Sequence, residues 1–304
     1  DGLNLPSDLA FSADGSIYVA ERGGAVRVIR NGALLQEAAL DLSREVALPE
    51  GGLLAIALDP LSDESGHLYA LYAAAAPRDG QEFTLARFRA VNDMFGERAL
   101  LLDRTPASAY GASGALRIGS DGKLYLALDS SADTLVAGSF ASYNGKVLRL
   151  NLDATTPDDQ AGQPPIFSFG HPQPQALDWQ PGTANLWVID RLAADAGRLS
   201  AVSNDPKQKR AAFRTSYALP AGTGATSAAF YRGTLMPFFQ GNLFVAAEVG
   251  RELIRLRFDP GNLSRIISVE RLLKDQIGAV RVVAEGKDGA LYIASESALY
   301  RLAP

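Results

Sequence analysis

The chain has 304 residues, with 29 Lys and Arg against 34 Asp and Glu for a net charge of -5, two His and no Cys. Disulfides, thiolate metal sites and cysteine nucleophiles are therefore excluded. The basic residues are scattered where a nucleic-acid partner would need a clustered basic face. No apolar run, Ala73 to Ala76 included, approaches the eighteen or so residues that span a bilayer.

In chain order, short apolar runs separated by Gly, Asp and Asn recur with one grammar. The first unit runs Leu5-Pro6-Ser7-Asp8-Leu9-Ala10-Phe11, then Asp14-Gly15-Ser16-Ile17-Tyr18, then Val26 to Ile29, and predicts an outermost strand over Leu34 to Leu40. The second opens after Leu48-Pro49-Glu50-Gly51-Gly52 with Leu53 to Leu58, continues through Gly66-His67-Leu68-Tyr69 and Leu85 to Phe88, and closes around Arg98 to Leu102. The third is a hairpin, with an apolar strand from Gly114 to Gly119, turn chemistry in Ser120-Asp121-Gly122, and alternation from Leu124 to Leu128. Val147 to Leu150 follows, and then a Pro- and Asp-rich stretch between Asn151 and Pro165 that reads as a surface loop. The fourth unit starts at Pro174 to Trp179, the fifth at Thr226 to Phe230 and the sixth at Val280 to Val283.

Each unit carries an aromatic at the same place on its second strand: Tyr18, Tyr69, Tyr125, Trp187, Phe244 and Tyr292, between 48 and 62 residues apart. A repeat of this length built from short strands predicts an all-β, six-bladed β-propeller, one unit per blade, as a single domain over 1–304. The rings are expected in the core between blades. The sixth unit runs out of residues after Ala298 to Leu302, so a three-stranded last blade is expected, its outer edge exposed or covered by another molecule. The chain begins at Asp1 without Met, which is read as a processed form whose precursor carried the missing strand and any targeting segment.

In this order the stretches Gly2 to Phe11, Glu50 to Pro60, Gly145-Lys146-Val147-Leu148-Arg149-Leu150-Asn151, Phe169-Gly170-His171-Pro172-Gln173-Pro174-Gln175, Pro237 to Val245 and Asp288 to Tyr292 resemble the soluble pyrroloquinoline-quinone (PQQ) dependent glucose and sorbosone dehydrogenases over nearly the whole length. The resemblance implies an exported protein with PQQ and calcium at the mouth of the central channel, and a His that takes the C1 hydroxyl proton of an aldose. That His lies ten positions before the Asp-Gly turn, and the matching residue is Gly111. Tyr110 is its neighbour, but a phenol is a poor general base at neutral pH. The family's Arg after Gly-His is Pro172. Its calcium-binding Glu-His-Gly-Pro is Asp190-Arg191-Leu192-Ala193, the acidic pair that follows is Gly197-Arg198, and one of two late arginines survives as Arg281.

The candidate ligand-binding residues are thus Glu50, Tyr110, His171, Gln173, Gln175 and Arg281, expected in one pocket, with no catalytic base and the metal ligands unassigned. Each also has a structural reading: Glu50 can cap a turn, His171 can fix its loop, and His67 is expected to be a solvated turn residue. Gly222 to Ser227 resembles a phosphate loop but precedes a strand and lacks the following Lys. Three functional readings follow. The first is a non-catalytic or altered homologue that binds a sugar-like ligand or a protein partner. The alternative is a working PQQ-dependent aldose dehydrogenase with an unusual site. A six-bladed calcium lactonase needs converging Glu, Asn and Asp, of which only Glu50 is placed.

Overall fold

The computed structural model describes residues 1–48, 51–60, 66–76, 80–92, 94–131, 133, 135–160, 164–203 and 215–304. It is built of β-strands, with short 3-10 turns and no α-helix among these residues. The strands form six antiparallel sheets, the blades of a six-bladed β-propeller. They group into two compact units, Ser7–Pro174 and Asp1–Pro6 with Gln175–Pro304.

The unit Ser7–Pro174 holds three sheets. The first has β1 (Pro6–Phe11), β2 (Ile17–Glu21), β3 (Ala25–Arg30), β4 (Ala33–Leu34) and β5 (Leu40–Asp41). Here the expected single outer strand is divided, because both β4 and β5 pair with β3 and the chain bulges out between them. Arg27 holds the bulge by donating to the Leu35 carbonyl at 2.8 Å. The second sheet has β6 (Gly52–Leu58), β7 (His67–Ala75), β8 (Gln81–Val91) and β9 (Met94–Ala107), and the third has β10 (Gly114–Ile118), β11 (Leu124–Leu128), β12 (Lys146–Leu150) and β13 (Ile166–Phe169). Leu54, Tyr69, Leu71, Phe83, Leu116, Leu126 and Leu148 form one core cluster where the second and third sheets face each other. The polar stretch after β12 is tied back to its own sheet, because Arg149 donates to Asp159 at 2.7 Å and to Gln160 at 2.9 Å.

The other unit holds the fourth sheet, β14 (Pro174–Trp179), β15 (Asn185–Arg191), β16 (Gly197–Ser203) and β17 (Thr215–Leu219), and the fifth, β18 (Ala225–Phe230), β19 (Leu243–Ala247), β20 (Glu252–Asp259) and β21 (Asn262–Leu272). The sixth has three strands in order, β22 (Val282–Glu285), β23 (Leu291–Ala294) and β24 (Leu299–Leu302). As expected, β24 is an edge strand, with Tyr300 and Arg301 exposed. Residues near the N-terminus pair beside it, at the turn: the amides of Leu3 and Leu5 donate to the carbonyls of Ser297 at 3.1 Å and Glu296 at 2.8 Å.

The recurring turn and ring are explained by one arrangement. In the third sheet Gly122 closes the hairpin with φ +69, a conformation that L side chains rarely adopt. Asp121 then accepts the Tyr125 hydroxyl at 3.1 Å and Arg149 Nε at 2.9 Å, with Tyr125 and Arg149 directly opposite across β11 and β12. The sixth sheet repeats it with Asp288, Tyr292 and Arg301. In these two sheets the third-strand arginine is therefore a partner of the turn.

Four of the six rings, Tyr69, Tyr125, Trp187 and Phe244, are buried. Tyr18 and Tyr292 are only half-buried, which corrects the expectation for the first and last units. Both sit in sheets whose outer layer is thin: split into two-residue strands in the first, absent in the sixth. Trp187 is fully buried, donates to Gln180 Oε1 at 3.2 Å and lies 5.3 Å from the Phe258 ring. Its replacement by Ala is expected to cost about 3 to 5 kcal/mol in a urea titration, the range of large-to-small core changes. A loss below about 1 kcal/mol would mean that the ring carries no core packing.

Candidate functional site

In the unit Ser7–Pro174, Gly111, the residue that the resemblance sets opposite the family's base, falls in the loop between β9 and β10. Gly111 has φ +65, and a Cβ there would meet no atom within 4 Å. Its neighbour Tyr110 is 80% exposed. The loop beneath that ring is held at every carbonyl from 109 to 112. Gln81 donates to Ala109 O at 3.4 Å, the Ser108 hydroxyl to Tyr110 O at 3.1 Å, Gln173 to Gly111 O at 3.4 Å and Arg22 to Ala112 O at 2.8 Å.

The loop's amides converge on one residue that the sequence reading missed. Asp129, 1% exposed at the end of β11, accepts the backbone N–H groups of Ser113 at 2.9 Å, Ser131 at 2.8 Å and Ser108 at 3.2 Å. Asn144 adds a side-chain amide that donates to Asp129 O at 2.9 Å and to Pro106 O at 2.6 Å. Lys146 is fully buried and donates to the carbonyls of Val136 and Asn144, and burial pushes its ammonium down. The signal available in the sequence was a carboxylate closing an apolar strand just before Ser130-Ser131.

His171 is fully buried, with its Nε2 2.8 Å from Ser168 Oγ and its backbone N–H donating to Gly145 O. It fixes the loop after β13 and does not reach the surface. Glu50 lies outside the described residues. His67, expected to be solvated, is half-buried at the start of β7 with Nδ1 3.9 Å from Asp59, and burial, aided by Arg87, pushes it down.

In the other unit, Gln175 is half-buried on β14. Arg281 donates from Nε to Pro6 O at 2.9 Å and from Nη1 to Glu248. Arg191 grips Asp195 at 2.6 Å and lies 3.7 Å from Glu248. Asp190 is fully buried and accepts Arg198 at 2.9 Å. The turn at 193–195 has left-handed backbone at Ala194 and Asp195, and its carbonyls are already used: Ala193 O accepts from Ala196, Ala194 O from Gly222 and Asp195 O from Gly224. Among the described residues no group of three or more His, Asp or Glu could hold a metal ion.

Burial pushes the Asp129 carboxyl up from 3.8 to about 6, against the pull of its three backbone donors and of Arg22. The folded state thus holds this proton where the unfolded chain has released it. Asp129 therefore adds stability below about pH 4 that is lost as pH rises through about 6, a difference on the order of 3 kcal/mol by linkage. In pH-dependent urea unfolding, wild type minus Asp129→Asn should show this decline between pH 4 and 7. A difference that is flat, or rises with pH, contradicts the assignment.

Comparison with known proteins gives the geometry its context. An uncharacterised protein of Synechocystis sp. is 27% identical, covering 97% of this chain and 82% of that one. The aldose sugar dehydrogenase YliI of Escherichia coli is 23% identical over 97% of this chain and 88% of its own. The PQQ-bound form of the aldose sugar dehydrogenase from Streptomyces coelicolor superimposes with a TM-score of 0.80 at 19% identity, covering 97% of this chain and 89% of that one. The glucose / sorbosone dehydrogenase family matches residues 3–195 and 197–302, essentially the whole chain, and this protein belongs to that family.

Proposed function

We propose that this chain keeps the scaffold of the glucose/sorbosone dehydrogenases and binds a sugar-like ligand at the loop carrying Tyr110, beside Gln173, without oxidising it. The observation that carries this reading is Gly111: the position matching the family's base has no side chain, and the space in front of it is open. Removing hydride from an aldose carbon requires a base within hydrogen-bond reach of its hydroxyl. His171 is sealed in the interior against Ser168.

The residues at the remaining family positions do not fit PQQ and calcium. A quinone with three carboxylates needs charge-assisted partners, and Arg281 is engaged by Glu248 and the Pro6 carbonyl. Calcium needs six to eight oxygen ligands, whereas Asp190 is held by Arg198 and the carbonyls of 193–195 already accept the amides of Ala196, Gly222 and Gly224. Tyr110, with Gln173 bonded to the neighbouring Gly111 carbonyl, offers the chemistry suited to a neutral, ring-shaped ligand. The second reading, a working PQQ-dependent aldose dehydrogenase, is favoured by the family match from residue 3 to 302.

Dye-linked oxidation of glucose and other aldoses separates the two. With PQQ and calcium added, no reduction above the protein-free rate is expected, and robust turnover would establish the second reading. Gly111→His should remain inactive, since Arg281 would still be paired with Glu248 and Asp190 with Arg198.

A further inference from the structure

Tyr110 poses a physical problem. An aromatic ring normally leaves water, yet this one is 80% exposed on a short loop, where a mobile backbone would let it fold down onto nearby apolar surface. The loop is not mobile in the usual sense, because its hydrogen-bonding capacity is met almost residue by residue. The carbonyls of 109, 110, 111 and 112 each accept a side-chain donor, and the donors come from four places in the chain: β8, the loop itself, the segment before β14 and the end of β2. Ala112 and Ser113 are buried and anchor one end, while Pro106 O is held by Asn144 at the other.

We infer that Asp129 is the positioning residue of this loop, holding the amides of Ser108 and Ser113 so that the Tyr110 ring stands as a preformed stacking face for a sugar ring. The role of the ring as a ligand contact rests on the function proposed above; the clamp does not. Both amides flank the four capped carbonyls, so a single buried carboxylate fixes where the loop leaves β9 and where it enters β10. The same carboxylate takes the Ser131 amide, which joins the loop to the segment after β11. A ring held in its binding position loses little entropy when a ligand stacks on it, which is the usual benefit of preorganisation. Gln173, bonded to the adjacent carbonyl, sets a polar amide beside the ring for ligand hydroxyls.

The test uses the full chain labelled with 3-fluorotyrosine, with the Tyr110 resonance assigned by its loss in Tyr110→Phe, together with amide hydrogen exchange. In wild type, Tyr110 should give one sharp fluorine line that shifts on titration with glucose. In Asp129→Asn, exchange at Ser108 and Ser113 should accelerate by about tenfold or more while the amides of β7 keep their protection, the Tyr110 line should broaden or split, and the glucose-induced shift should weaken by about tenfold in concentration. Should Asp129→Asn fail to fold, Gln173→Ala removes one carbonyl cap and should broaden the same line to a lesser degree. Unchanged exchange at Ser108 and Ser113, or in the second variant an unchanged Tyr110 line, overturns the clamp whatever the titration shows. A clamp that behaves as described, beside a Tyr110 line indifferent to glucose, galactose and mannose, overturns the stacking role and the sugar-binding reading together.

Discussion

Each unit depends on a carboxylate that reaches from the first strand of one sheet to the first strand of the next. Asp8 on β1 is 3% exposed, accepts the Ile56 amide of β6 at 3.1 Å and is gripped by both guanidinium nitrogens of Arg117 on β10, at 2.8 and 3.0 Å. In the other unit Asp178 on β14 accepts the Phe230 amide of β18 at 2.6 Å and Arg232 at 2.6 Å, and the Arg232 amide donates to Glu285 on β22 at 2.8 Å. A carboxylate withdrawn from water is stable only with such partners. The constraint therefore works in both directions. It brings three inner strands into register, and it fixes the spacing at which the apolar outer faces of neighbouring sheets interlock.

The same chemistry governs the regions that the resemblance pointed to for a cofactor. Arg191, Arg198 and Arg281 each find a carboxylate within their own unit, in Asp195, Asp190 and Glu248. Ion pairs of this kind hold loops without any added cation, and they leave the arginines already neutralised. In the unit Ser7–Pro174 the buried acid instead collects backbone amides, so Asp129 orders a loop and supplies no exposed charge. Both regions use charged side chains to satisfy hydrogen-bonding groups of the chain itself.

The blades were legible because their signals are local. Asp-Gly turns, period-two alternation and one aromatic per unit lie within about twenty residues of each other, and each has a direct structural cause in the Asp121–Tyr125–Arg149 arrangement. The division of the first sheet's outer strand was not legible, since it turns on Arg27 finding the Leu35 carbonyl. Nor was the half-exposure of Tyr18 and Tyr292, which depends on what the sheet beyond the ring lacks. At the site, Gly111 and Tyr110 were singled out by the resemblance to the family. The pairing of Arg281 with Glu248 and the hub at Asp129 join residues distant in the chain, invisible to any pattern of neighbours.

The central claim is that the charged groups at the positions where the resemblance implies a cofactor are paired within the chain. Isothermal titration of the protein with PQQ in the presence of calcium tests it most directly. The account predicts no saturable heat at micromolar protein, because a quinone carboxylate would have to displace Glu248 from Arg281. Tight, stoichiometric binding that is abolished by removing calcium would contradict it.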